Sequence, residues 1–289
     1  MNFSIVTVAH ATDLPLLKLQ ARSLNHYLAR DFVREIIVVD NSTGTSINRA
    51  ELLSQYKLPV RIIDAKDIAP VQHANGWLTQ QVHKLLIARH VRTKNYILLD
   101  AKNHLVAPVS RATFQHADGR LRTGMYGYRH HPLQQRILRS CRFFGVDPAK
   151  VLHLFLPTIT PFSMPTVVVR RLLREVERSG PFAQTFLAAG VTEFSMLGTY
   201  VLSTGHKLED YYVNDAWFTA NLWKWQNNRQ MQHEITDLTR DFFSVHRRTF
   251  SKMDATTQQM LAVLWHQRKL FASFSDAIRF VRGCAMTYR

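Results

Sequence analysis

Gly76-Trp77-Leu78-Thr79-Gln80-Gln81-Val82-His83-Lys84-Leu85, followed by Tyr96-Ile97-Leu98-Leu99-Asp100-Ala101-Lys102-Asn103, decides how the rest of the chain is read. The first segment mixes polar and apolar residues at helical spacing, which predicts an amphipathic helix over 76–90. The second is a wholly apolar run that stops at an acid, the pattern of a strand buried on both faces and ending at a sheet edge.

Outward from that pair the same alternation repeats. Phe3–Ala9 is a β-branched run, and Asp13–Leu28 places Leu16, Leu17, Leu19, Leu24 and Leu28 at helical spacing. Glu35–Asp40 reads as a second buried strand, Asn41-Ser42-Thr43-Gly44 as a turn, Val60–Asp64 as a third strand and Asn95–Asp100 as a fourth. This order predicts an α/β fold, a mostly parallel sheet flanked by helices, with ligands at the carboxyl ends of its strands. The middle is less regular. Gly124–Tyr128 and Ser163–Val169 read as strands, the second leading into a helix over Arg170–Glu177, with Thr158–Phe162 as a loop. Glu193–Ser203 is an apolar stretch of helical length opened by an acid. After a main domain of 1–245, the segment 246–289 is basic and helical in pattern, with Leu270, Phe271, Phe274 and Ile278 interleaved with Arg268, Lys269, Arg279 and Arg282. Such a C-terminal extension is able to lie on anionic lipid.

With 289 residues the chain can bury a full core, and no fixed period marks it as a repeat protein. Hydrophobic residues at 46% and charged residues at 20% exclude a disordered chain. The formal charge of +16 favours acidic partners such as nucleotide diphosphates, anionic lipid, acidic glycans or nucleic acid. Nucleic acid is disfavoured because no RNP, zinc-finger or Lys/Arg-run motif is present. The first residues lack the basic start and apolar core of a signal peptide, and no run of about 18 apolar residues suggests a membrane span. Cys141 and Cys284 stand in no metal or redox spacing, so a reducing cytoplasm is expected, with the basic tail able to attach the protein peripherally to the inner membrane.

Several of these stretches together resemble a poorly characterised bacterial family of GT-A-like glycosyltransferases of polysaccharide-biosynthesis type. They are Ser4–Ala9, the strand ending at Asp40, the Trp77/Gln80/Gln81/Lys84 helix, Leu99-Asp100-Ala101-Lys102-Asn103 and Thr192-Glu193-Phe194. The resemblance covers roughly the first two-thirds of the chain. It implies a GT-A-like, Rossmann-like sheet and a nucleotide-sugar donor held over its carboxyl edge. Ala9, His10 and Asp40 would line the nucleoside pocket. Asp40 would accept from the base or ribose; the alternative is an acid that organises the turn after its strand. Asp100 stands at the first position of the Asp-x-Asp motif, and Lys102 replaces the second Asp. A carboxylate pair would hold Mn or Mg through oxygen, whereas the Lys102 ammonium can face the diphosphate and supply part of that charge. Asn103, His104 and His246 are further candidate ligands. His246 resembles a C-terminal histidine that completes the metal site in some GT-A enzymes, the alternative being a surface histidine in a basic segment.

On the 76–90 helix, Trp77, Gln80, Gln81 and Lys84 are spaced to lie along one side, with Lys84 for phosphate and the glutamines for sugar hydroxyls. Glu193 is the expected catalytic base, because an inverting transferase needs a carboxylate beside the acceptor hydroxyl. The alternative is a first-turn acid favouring the helix dipole. Asp210 and Asp215 are runners-up, and Tyr211, Tyr212, Trp217, Trp223 and Trp225 are either a sugar platform or core. His130-His131 and Arg136/Arg139/Arg142 give weaker signals for metal and phosphate. The expected activity moves a sugar from a nucleotide-diphosphate donor to a surface-polysaccharide or glycolipid acceptor. A nucleotidyltransferase, or a non-catalytic protein binding nucleotide or anionic polymer, is the alternative.

Overall fold

The computed structural model describes residues 2–71 and 75–288. Strands β1 (Phe3–Ala9), β2 (Val33–Asp40), β3 (Val60–Asp64) and β4 (Asn95–Leu99) form a parallel sheet in the order β3-β2-β1-β4, and Phe162–Pro165 adds an antiparallel strand beside β4. Every residue of β1 and β4 is buried, which is why both are mostly apolar, with Ser4 and Thr7 the polar members of β1 and Asn95 that of β4. The edge strand β3 is only half-buried along its length.

Helix Leu14–Tyr27 starts with Pro15 in its first turn and buries Leu16, Leu17, Leu19 and Leu24. Helix Gly76–Leu86 is capped by the Asn75 side chain, which accepts from the Trp77 N–H, and it packs Val82, Leu85 and Leu86 into the core beside β1. Helix Glu193–Ser203 has the bounds its sequence predicts, with Thr192 and Ser195 forming a capping box. A second sheet of three strands runs Asn103–Leu105, Phe242–Val245, Thr219–Leu222.

Three expectations are corrected. The strand read over Ser163–Val169 ends at Pro165, and a helix occupies Thr166–Glu177. Proline cannot extend the ladder, and Val168, Val169, Leu172, Leu173 and Val176 bury one helical face while Val167 stays exposed, so packing overrides the β-branched preference. Gly124–Tyr128 forms no strand and makes a single bridge, Tyr126 to Phe155. Gly124 is needed for close approach: a Cβ there would stand 2.7 Å from the Ala216 carbonyl and from the Trp217 ring.

The third correction concerns the tail. Its apolar face is taken up inside the fold, where Leu261 and Trp265 of helix Ala255–Gln267 and Ala277 and Val281 of helix Phe274–Thr287 are fully buried. Tyr27 donates to the Arg268 carbonyl at 2.7 Å, and Tyr288 donates to the Thr12 carbonyl at 3.0 Å. The exposed side carries Lys269, Arg279 and Arg282, together with the apolar Val263, Phe274 and Met286. No single described helix is long and apolar enough to cross a membrane, and the pair Phe182–Ala189 and Glu193–Ser203 is bent by 97° at its break.

Candidate functional site

Strand register builds the site. Asp40 is level with Ala9 on one side and Asp64 on the other, while Thr7 is level with Leu99. His10, Asp40, Asp64 and Asp100 therefore arrive together at the carboxyl edge of the sheet, where they border a cleft of about 1240 Å³. The opposite wall comes from the second sheet. Pairing of Asn103–Leu105 with Phe242–Val245 brings His246 beside Lys102, and Val245 donates to the Lys102 carbonyl at 3.4 Å. Trp223, Lys224, Arg247 and Arg248 stand on the same wall. Trp77, Thr79, Gln80 and His83 close the cleft from the Gly76–Leu86 helix.

Asp100 is its electrostatic centre. Lys84 Nζ lies 2.8 Å from Asp100 Oδ1, and Lys102 Nζ lies 3.0 Å from Oδ2. Burial works against the charge on Asp100, but the two ammonium groups outweigh it and hold the carboxyl well below the usual carboxylate range. Behind Lys84 stands Glu193, whose Oε1 is 3.0 Å from Nζ. Burial would strip the Lys84 proton, yet the two carboxylates keep the ammonium charged and raise its pKa. Glu193 itself is pushed upward by burial, partly countered by Lys84.

The turn that carries Asp100 is braced from below. Asn103 Oδ1 accepts from the Asp100 N–H at 2.6 Å, and its Nδ2 donates to the Thr160 carbonyl and to Ser244 Oγ. Gln20 Nε2 donates to the carbonyls of Asp100 and Asn103, and its Oε1 accepts from Thr7 Oγ1. Asp40 does the same for the next turn: its carboxylate accepts from the Ser42 N–H at 3.0 Å and the Ile47 N–H at 2.8 Å.

Of the residues expected at the site, His10, Asp40, Trp77, Gln80, Lys84, Asp100, Lys102 and His246 line the cleft. Ala9, Gln81, Asn103 and Glu193 are not among its lining residues. Ala9 is fully buried in the core, and Asn103 is used up in bracing the turn. Gln81 follows Gln80 by about 100° around the helix, which turns it inward and leaves its Nε2 on the Trp77 carbonyl. Glu193 is 3% exposed and pairs with Lys84, which stands between it and Asp100. Lys84 spends two of its three N–H groups on carboxylates. Asp210 pairs with His206, and Asp215 with Arg122, both outside the cleft. Among the aromatics, Tyr212 is core, while Trp223 lines the cleft and stacks on Trp225 at 4.8 Å. Arg136 lies over the Trp77 ring at 4.9 Å.

The residues present do not fit a divalent cation. Both Asp100 oxygens carry an ammonium, His104 is buried with Nε2 accepting from Trp265 at 2.8 Å, and no group of three or more His, Cys, Asp or Glu side chains among the described residues is arranged to hold a metal. His246 Nδ1 accepts from the Arg248 N–H at 3.3 Å. Burial, and then Lys102, Lys224, Arg247 and Arg248, push its pKa down to about 4, so the imidazole is neutral and carries its proton on Nε2.

The helix stripe that holds Gln80 also holds His83, three residues on, and that spacing was the signal for it. His83 lines the cleft, is 2% exposed and has no partner for Nδ1 among the described residues. Burial lowers its pKa to about 4, and burial also lowers that of His104 to about 3. The unfolded chain protonates both near 6.5, so from there down to about 4 it holds protons that the native state refuses. Stability is full above about pH 6.5 and falls as pH drops, by about 1.4 kcal/mol per unit for each histidine. Urea midpoints measured at pH 7 and pH 5 should show this loss, and equal midpoints would contradict the two buried neutral imidazoles.

Two solved structures share the architecture. One is described as an active-site mutant of LgtC; it superposes with a TM-score of 0.53 at 11% identity over 91% of this chain and 95% of that one. The other is galactosyltransferase LgtC in complex with donor and acceptor sugar analogs, with a TM-score of 0.53 at 12% identity over 92% of this chain and 99% of that one. At such identity the likeness is one of fold, and the class it defines is a GT-A-like α/β protein with a C-terminal helical extension. No curated protein matches the chain. Over residues 3–274 it matches, and therefore belongs to, the family described as Family of unknown function (DUF6492).

Proposed function

We propose that this protein is a glycosyltransferase that moves a sugar from a nucleotide-diphosphate donor to a glycan or glycolipid acceptor. The observation that carries the reading is the juxtaposition across one cleft of Asp100, at the carboxyl edge of the sheet, and the basic wall of Lys102, Lys224 and Arg248. Departure of a nucleoside diphosphate concentrates negative charge on the leaving oxygens, and cations fixed in place stabilise that charge without reorganising. Asp100, held by two ammonium groups, keeps lone pairs that can accept from ribose or donor-sugar hydroxyls. Trp223 offers a ring face, and the neutral His246 offers an Nε2–H donor. Trp77 is 45% exposed at the mouth under Arg136, a surface suited to an anionic acceptor. The exposed Lys269, Arg279 and Arg282 support a place beside anionic lipid on the inner membrane face.

A thermal-shift series with uridine, guanosine, thymidine and adenosine diphosphates tests the reading. One base family should raise the melting temperature of the wild type, since a ligand that binds the native state stabilises it. With that donor, Asp100→Ala should lower kcat/KM by about tenfold to a hundredfold, the loss of a charge-assisted hydrogen bond. Unaltered kcat/KM would remove Asp100 from the site.

A further inference from the structure

In a GT-A-like fold the diphosphate is expected to sit against a cation held by strand-end carboxylates. Here the strand-end carboxylate is already neutralised, because each Asp100 oxygen lies within 3.0 Å of a lysine Nζ. A hard dication placed on those oxygens at about 2.0–2.6 Å would meet two ammonium groups where its own charge should be. The basic wall has the opposite character. Lys102 uses one N–H on Asp100 and lays its ammonium 4.9 Å from the Trp223 ring centre, leaving two donors with no protein acceptor among the described residues. Lys224 and Arg248 line the same cleft, and among the described residues neither side chain is paired with a carboxylate. Arg247 is the paired one, reaching Thr12 Oγ1 at 3.2 Å and Asp13 Oδ1 at 3.4 Å, which ties the wall to the first strand's turn. Lys224 and Arg248 face the cleft without a carboxylate partner, and Lys102 shares Asp100 with Lys84, so the wall keeps excess positive charge that an incoming anion would offset.

We infer that the cleft takes its nucleoside diphosphate without a divalent cation, Lys102, Lys224 and Arg248 supplying the charge that a metal ion would otherwise bring. Lys84 borders the cleft but contributes mainly indirectly: buried between Asp100 and Glu193, it fixes the carboxylate that orients Lys102. The inference rests on the nucleotide-sugar reading above and deepens it.

The test is calorimetric titration of the intact chain with the nucleoside diphosphate selected by thermal shift, in EDTA and again with added manganese or magnesium. Affinity in EDTA should lie within about twofold of that with metal. Lys102→Gln should weaken binding tenfold or more in both conditions, the size of one charge-assisted hydrogen bond. Lys102→Asp should weaken binding in EDTA as well and regain part of it with manganese, since it sets a second carboxylate two residues after Asp100. Binding of the wild type that appears only with metal overturns the inference and leaves the transferase reading standing. Binding of Lys102→Gln in EDTA as tight as wild type overturns the role of Lys102. No binding of any nucleoside diphosphate in either condition overturns the inference together with the reading beneath it.

Discussion

Lys84→Met should lower stability by about 3–5 kcal/mol, the cost of removing one partner from a buried ion pair. Lys84 is 5% exposed, and its ammonium is what separates Asp100 from Glu193; a methionine of similar volume leaves two carboxylates without a cation between them. For a chain of this size that corresponds to roughly 10 °C in melting temperature. The sign with pH is diagnostic. Glu193 is already raised by burial, and without Lys84 it rises further, so its neutral form becomes the one the fold prefers. A group raised in the folded state stabilises at low pH and loses that contribution as pH rises through its folded value, so the deficit of the variant should shrink on acidification. Glu193→Gln keeps an acceptor for Lys84 and should cost less. A variant as stable as wild type at pH 7 would show that the triad does not hold the site together.

Trp265→Ala should cost about 3–5 kcal/mol, the range for deleting a large buried ring. Trp265 is 0% exposed and packs against His104, Phe271, Phe280 and Phe250 with ring centres 5.4–6.3 Å apart. Its indole N–H is also the donor to His104, whose Nε2 would be left buried and unpaired. Were the tail a lipid-lying amphipathic segment, the same substitution would weaken vesicle binding and leave the melting temperature in place. Differential scanning calorimetry of the variant separates the two outcomes.

The parallel core was legible because strand segments buried on both faces are written as apolar runs ending at acids, as residues 36–39 are before Asp40 and residues 96–99 before Asp100. The helix at Glu193–Ser203 was legible because its cap and its apolar run start together. Val167, Val168 and Val169 misled, since a β-branched run reads as strand, whereas Val168 and Val169 are buried on one helical face and Val167 is exposed. The electrostatics of the site were not legible. Lys84 meets Glu193 across 109 residues of sequence, and His246 reaches Lys102 only through strand pairing, so neither partnership leaves a local pattern. The sequence reading placed Lys84 on phosphate and Glu193 on proton abstraction; the ion pair between them is what the sequence does not display.

Chemical turnover at this cleft is measured by mass spectrometry of the purified chain incubated with nucleotide sugars and a panel of glycan and glycolipid acceptors. Free nucleoside diphosphate should form in step with an acceptor heavier by one sugar residue. Release of pyrophosphate with a nucleotide-linked product, or nucleotide binding with no product at all, would contradict the transferase reading.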